Sequence, residues 1–199
     1  MAHKKVLSER NIMNDYKKIL RKEVKQSILK LNSEYCEEAN ARIIDYIISW
    51  KEYVDADTVF CFVGTDTEIN TTRILEHALR QGKRLGVPRC IQKGIMEVYE
   101  IKSLNDLEEG SYGILEPRAG TPLIRPEEIR LALVPCLTCN EKGQRLGYGG
   151  GFYDRYLART DARRAVLCRS ALIRESIPSD RYDLDMDYVI TEKGIVSVS

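Results

Sequence analysis

Thr58-Val59-Phe60-Cys61-Phe62-Val63 is apolar at every position after the first. Successive side chains of a strand point to opposite faces, so a run without polar alternation offers no face to water. Strands of this kind are buried on both sides, as in parallel sheets. The segment therefore predicts a central strand with helices above and below it. The flanking sequence agrees. Upstream, Ile12, Tyr16, Ile19, Leu20, Val24 and Ile28 recur at helical spacing, as do Cys36, Ala39, Ile43, Ile47 and Trp50. Asn32-Ser33 lies between the two stripes as a break and an N-cap. Downstream, a helix is expected over about Thr71 to Arg80, ending at Gly82. Strand-like segments follow at Arg84–Val87, Met96–Ile101, Arg130–Val134, Ala165–Cys168, Tyr188–Ile190 and Ile195–Val198, several of them separated by helical segments. Alternating strands and helices define an α/β fold with a largely parallel sheet flanked by helices. Glu109–Pro126, rich in Gly and Pro, reads as a long surface loop.

The chain has 199 residues, which suits one domain over residues 1–199. Lys and Arg number 31 against 30 Asp and Glu, a net charge of +1. That balance lacks the basic surplus of a dedicated nucleic-acid binder. No apolar run approaches the ~18 residues of a membrane span. The opening MAHKKVLSERN lacks the apolar core of an export signal, so a cytoplasmic location is expected. Cys36, Cys61, Cys90 and Cys168 read as reduced core thiols or helix-face residues. Cys136-Leu137-Thr138-Cys139 is a CxxC pair. Zinc needs four ligands, however, and the sequence has no second CxxC and only two histidines, His3 and His77. A redox CxxC would open a helix, whereas a glycine loop follows here. The pair is accordingly expected to carry neither metal nor redox chemistry.

That loop is the strongest chemical signal. Gly143-Gln144-Arg145-Leu146-Gly147-Tyr148-Gly149-Gly150-Gly151-Phe152-Tyr153-Asp154-Arg155 follows the strand ending at Val134. Glycine tolerates positive φ and puts no side chain in the way, so backbone N–H groups can turn toward an anion. Helical residues follow, and a helix start favours phosphate. The pattern is neither a Walker A loop nor a dinucleotide fingerprint. Arg145 can grip phosphate through two N–H groups. Asp154 offers a hard oxygen to Mg²⁺. Tyr153 and Phe152 offer flat apolar surface to a ring. On the first helix Lys17 and Arg21 share a face, beside a line formed by Lys18, Lys22 and Lys25. Like charges four apart repel by a few tenths of a kcal/mol, a cost that a bound anion reverses. Asp183 and Asp187 are also four apart. Glu68 lies just beyond the Val63 strand end.

These residues resemble the 5-formyltetrahydrofolate cyclo-ligase family. The resemblance rests on Val134-Pro135 followed by the 143–155 segment. Lys17-x-x-Leu20-Arg21, Glu68-Ile69-x-Thr71, Gly82-Lys83, Pro88, Gly113–Pro117, Asp183 and Asp187 fall in order around it. It implies a single three-layer, Rossmann-like α/β domain and an ATP- and Mg²⁺-dependent ligase acting on a reduced folate. The formyl oxygen of 5-formyltetrahydrofolate attacks the γ-phosphate. N10 then closes the ring to 5,10-methenyltetrahydrofolate, with ADP and phosphate released. By the same resemblance, Arg145, Lys17 and Arg21 supply the catalytic positive charge. ATP lies against Lys17, Lys18, Arg21, Arg145, Leu146, Gly147, Tyr148, Gly149, Gly150, Gly151, Phe152 and Tyr153. The folate meets Val63, Glu68, Tyr148, Gly149, Gly150, Gly151 and Phe152, and Mg²⁺ is held by Asp154 and Asp187. The protein would be a monomer or a weak homo-oligomer.

The chain departs from the family pattern at Cys136-Leu-Thr-Cys139-Asn140, where the family usually runs Gly-x-x-Phe-Asp, and at Phe152, where Tyr is common. Asn140 removes a negative charge near the loop. The alternatives are a non-catalytic folate- or nucleotide-binding paralogue and an ATP-independent enzyme on the same scaffold, such as a sugar-phosphate isomerase or CoA transferase.

Overall fold

The computed structural model describes residues 2–110 and 113–198, with side chains from residue 12 onward. The helices are α1 (Ala2–Ile28), α2 (Ser33–Ser49), α3 (Lys51–Asp55), α4 (Thr72–Arg80) and α5 (Phe152–Leu157). Seven strands form the main sheet: β1 (Thr58–Cys61), β2 (Arg84–Gln92), β3 (Ile95–Ile101), β6 (Leu131–Val134), β9 (Arg163–Leu167), β10 (Tyr188–Thr191) and β11 (Gly194–Ser197). Two small hairpins pair β4 (Leu107–Glu109) with β5 (Leu115–Pro117), and β7 (Thr138–Cys139) with β8 (Arg145–Leu146).

The sheet order is β11-β10-β9-β6-β1-β2-β3. The five central strands are parallel, and β3 and β11 pair antiparallel at the two edges. The unalternated apolar run indeed marks a central strand. Val59 and Cys61 face one cluster, built with Ile43, Ile47, Ile74 and Leu75 of α2 and α4. Phe60 faces the other, with Val24, Tyr156 and Leu137. β6 divides likewise, Leu131 and Leu133 to one side and Ala132 and Val134 to the other. The result is three layers with helices on both faces.

Local signals act as expected at the first helix break, where Asn32 accepts the Glu34 N–H at 2.8 Å and caps α2. Two expectations are corrected. Glu109–Pro126 is not a plain loop: Leu115–Pro117 pairs back on β4, Leu123 bridges to Tyr99, and Ile124 is fully buried. The apolar stripe of α1 is buried only in its second half. Val24 is buried, but Ile12, Tyr16 and Ile19 are more than half exposed, because only the end of α1 lies over the sheet cluster.

Strand order reverses between β1 and β6. The chain leaves β1 toward β2 on one side, and β6 returns on the other. At such a switch point the connections diverge and leave a crevice at the carboxyl ends of the strands.

Candidate active site

Phe62 to Glu68 leave β1 at this crevice, and Pro135 and Cys136 leave β6. A small cavity there is lined by Phe62, Glu68, Ile69, Pro135, Cys136 and Arg169, among others. The turn after β1 is tied down residue by residue. Thr71 Oγ1 donates to the Phe62 carbonyl at 2.7 Å and accepts the Gly64 N–H at 3.1 Å. Glu68 Oε2 accepts from the Thr65 N–H and hydroxyl at 3.0 and 2.9 Å. Gly64 is obligatory here, since a Cβ would collide with the Ile69 carbonyl oxygen. Beneath the turn, buried Arg169 donates to the carbonyls of Thr67 and Glu68 at 3.0 and 2.8 Å and to Asn40 Oδ1 at 3.1 Å. Sequence reading missed Arg169, because its partners lie over 100 residues away. Val63 packs half-buried against the core beside this turn.

The glycine loop approaches the same turn through Tyr148, which lies beside Glu68 and Cys136. Leu137 and Leu146 are linked across the β7–β8 hairpin by a 2.8 Å backbone bond, which sets where the loop begins. Asn140 forms the hairpin tip: its Oδ1 accepts the N–H groups of Lys142 and Gln144, and its amide donates to Gln144 Oε1. Its amide therefore makes a turn that a carboxylate could also cap, and the lost charge stays within the hairpin.

Three arginines bracket the loop. Arg21 Nε donates to the Gly147 carbonyl at 2.8 Å, and its guanidinium lies 3.3 Å from the position a Cβ of Gly149 would take. Gly149 has φ of +101°, so a side chain there is strained as well as crowded. Arg145 is buried. One terminal nitrogen donates to Asp154 Oδ1 at 2.8 Å, the other faces Gly147, and Nε has no hydrogen-bond partner. Arg155 closes the motif. Its Nε donates to the Gly94 carbonyl at 2.6 Å and it also bonds the Gly150 carbonyl, stitching the loop to the β2–β3 turn. Tyr153 stacks on Phe60 with centroids 5.9 Å apart, and burial raises its pKa, with Glu68 adding to the shift. Tyr148 lies over the crevice; desolvation of its hydroxyl and the Glu68 carboxylate beside it push its pKa up. The Phe152 ring packs half-buried under Gly150, where a Cβ would strike it.

The structure separates other expected partners. Lys17 is clasped by Asp180 and Asp183 at 2.9 and 2.5 Å, which offsets its charge. Burial alone would lower its pKa, but the two carboxylates outweigh this and raise it. Lys18 is exposed and pairs with Asp15 at 3.0 Å, one turn back on the same helix. Asp154 holds Arg145 and accepts the Leu184 N–H at 3.2 Å. Asp187 does not join it. It precedes β10 at the amino ends of the parallel strands, where its carboxylate takes the backbone N–H and the guanidinium of Arg164. The Asp154–Asp187 metal pair expected from sequence is thus not assembled, because the connection between β9 and β10 runs back across the sheet before Asp187.

A mostly parallel α/β sheet with a glycine loop and convergent arginines at its switch point defines a small-molecule enzyme that handles an anionic substrate. The 5-formyltetrahydrofolate cyclo-ligase family model matches residues 13–192. The chain belongs to this family. It is 28% identical over 200 residues to the 5-formyltetrahydrofolate cyclo-ligase of Mus musculus, covering 93% of this chain and 98% of that one. The Escherichia coli K12 enzyme of the same name is 25% identical over 178 residues, covering 86% and 98%. Among solved structures, the 5,10-methenyltetrahydrofolate synthetase of Aquifex aeolicus superposes with a TM-score of 0.81 at 27% identity, covering 92% of each chain. The Mycoplasma pneumoniae synthetase shares the fold at a TM-score of 0.72 and 19% identity, covering 88% and 98%.

Proposed function

We infer that this chain catalyses the ATP-dependent closure of 5-formyltetrahydrofolate to 5,10-methenyltetrahydrofolate. The reading rests on family membership over residues 13–192. The observation that carries it into the structure is that Arg21 of α1 and Arg145 both meet the glycine loop, whose Tyr148 lies beside the Glu68 carboxylate.

Transfer of a phosphoryl group needs positioning and charge neutralisation more than covalent chemistry from the protein. The N–H groups of Gly147 to Gly151 cradle the phosphates. Arg21 and the loop-facing nitrogen of Arg145 carry the positive charge that meets them. The formyl oxygen attacks the γ-phosphorus and ADP leaves. The N10 lone pair then attacks the activated formyl carbon. Loss of the N10 proton and of phosphate completes the methenyl ring. Glu68 hydrogen-bonds the pterin, while Val63, Tyr148 and Phe152 border the folate. Lys17 acts within its carboxylate pair, at the edge of the loop.

The residues fit Mg²⁺ with one protein carboxylate. Asp154 uses Oδ1 for Arg145 and Leu184, and no described residue donates to Oδ2. Mg²⁺ commonly binds through one or two carboxylates, phosphates and water. Bound there, the ion would offset charge on the phosphates; Asp187 takes no part.

The reading carries with it a single domain over residues 1–199 working as a monomer or weak homo-oligomer. No described helix is long and apolar enough to cross a membrane. Six unpaired cysteines support a cytoplasmic location.

The test mixes purified protein with 5-formyltetrahydrofolate, ATP and Mg²⁺ and follows the methenyl chromophore. The chromophore is expected to appear only with ATP. Folded protein that binds both ligands without forming it, beside an active control enzyme, would establish the non-catalytic paralogue instead.

A further inference from the structure

The sequence shows one CxxC and no second pair, yet the fold adds a third thiol. Val134 of β6 and Val166 of β9 are register partners in the parallel sheet. Cys136 and Cys168 each lie two residues beyond that pair, so both emerge side by side at the carboxyl edge. The hairpin then turns Cys139 back onto them, held by the Arg174 N–H donating to the Cys139 carbonyl at 3.0 Å. The three sulfurs lie within 4.8 Å of one another, the one such group among the described residues.

We propose that Cys136, Cys139 and Cys168 form a three-thiolate site for one Zn²⁺ ion, with the fourth position open toward the crevice at Glu68. At a Zn–S distance of about 2.3 Å, tetrahedral angles set sulfurs about 3.8 Å apart. The cluster therefore closes on an ion by contracting less than about 1 Å, within reach of small side-chain rotations. Cys139 and Cys168 are buried, while Cys136 is half-buried and lines the cavity with Glu68 and Arg169. The geometry thus has a closed side and an open one. Three thiolates around Zn²⁺ leave one net negative charge, and Arg145, whose charge acts directly on Cys139, offsets it. Thiolates select soft or borderline ions over Mg²⁺, so this centre is separate from the oxygen ligand at Asp154. Binding replaces three thiol protons by one ion and requires no oxidant.

The test is a titration of the reduced, full-length protein with Co²⁺ in the absence of oxygen, followed by displacement with Zn²⁺. One equivalent is expected to bind, with an intense near-ultraviolet sulfur-to-cobalt band and the strong visible bands of a tetrahedral centre. About three protons should be released per ion in weak buffer near neutral pH. Cys36→Ser should leave all of this unchanged. Cys168→Ala should lose more than the roughly tenfold to hundredfold affinity that removal of an outer-shell partner costs. Cys136→Ser, at the half-buried position, provides the same readout if the Cys168 variant does not fold. Substoichiometric binding, absence of the sulfur band, or unchanged affinity in the folded cysteine variant would overturn the proposal. So would a Cys136–Cys139 disulfide that persists under reductant and takes no ion.

Discussion

Arg21 Nε donates to the carbonyl of Gly147 at 2.8 Å, joining residues 126 apart in sequence. This bond fixes a guanidinium from the first helix against the loop whose backbone N–H groups we propose meet the phosphates. The loop's conformation and its positive charge are therefore set together.

Arg21→Ala removes a charge-assisted bond of about 1.5–3 kcal/mol and one of the loop's cations. KM for ATP is expected to rise about tenfold to hundredfold, with KM for the folate nearly unchanged. Steady-state kinetics with each substrate varied in turn would show it. An equal rise in both constants would mean that Arg21 only supports the fold.

Buried Arg145 and half-buried Asp154 form an ion pair with distinct expected failures. Arg145→Ala should cost about a hundredfold or more in kcat, the scale of a lost charge-stabilising donor. Asp154→Asn should raise the Mg²⁺ concentration needed for half-maximal rate. Asp187→Asn should leave that Mg²⁺ requirement unchanged and lower the melting temperature instead, through loss of its Arg164 bonds. A shifted Mg²⁺ dependence in the Asp187 variant would restore it as a ligand.

Arg169→Met keeps much of the side-chain bulk but frees the Thr67 and Glu68 carbonyls and Asn40. Each lost charged bond costs about 1.5–3 kcal/mol before the turn relaxes. The folate KM should rise more than the ATP KM, since the turn carries Glu68. Gly64→Ala should act on the same constant by displacing the turn at Ile69.

The Arg125 backbone N–H, with the Arg84 and Arg125 guanidiniums, holds the Glu128 carboxyl at about 2, below its ordinary 4.5. The unfolded chain thus takes up this proton first on acidification. The stabilisation is complete above about 4.5 and is lost as pH falls from there toward 2. Glu128→Gln should melt with a shallower dependence on pH across this window than the parent protein. Parallel melting curves would show that the ion pairs contribute nothing there.

Much of this protein was legible in the order of its residues. The run from Val59 to Val63 announced a strand buried on both faces, because strand geometry leaves such a run no exposed side. The glycines from 143 to 151 marked a loop of unusual backbone, because only residues without a Cβ readily accept φ values such as the +101° of Gly149. Lys17 and Arg21 were placed on one helix face by spacing alone. Spacing along an element could not say which elements meet. Asp187 looked equivalent to Asp154, but parallel strands have two chemically different ends, and the path back across the sheet sets Asp187 beside Arg164 at the amino end. Lys17 looked free for phosphate, but the turn before Leu184 brings two carboxylates to it. Cys168 looked like a core thiol, and only the register of β6 against β9 brings it to the CxxC. Local sequence determines what each segment is; pairing between distant strands, which no short window contains, decides which side chains share a site.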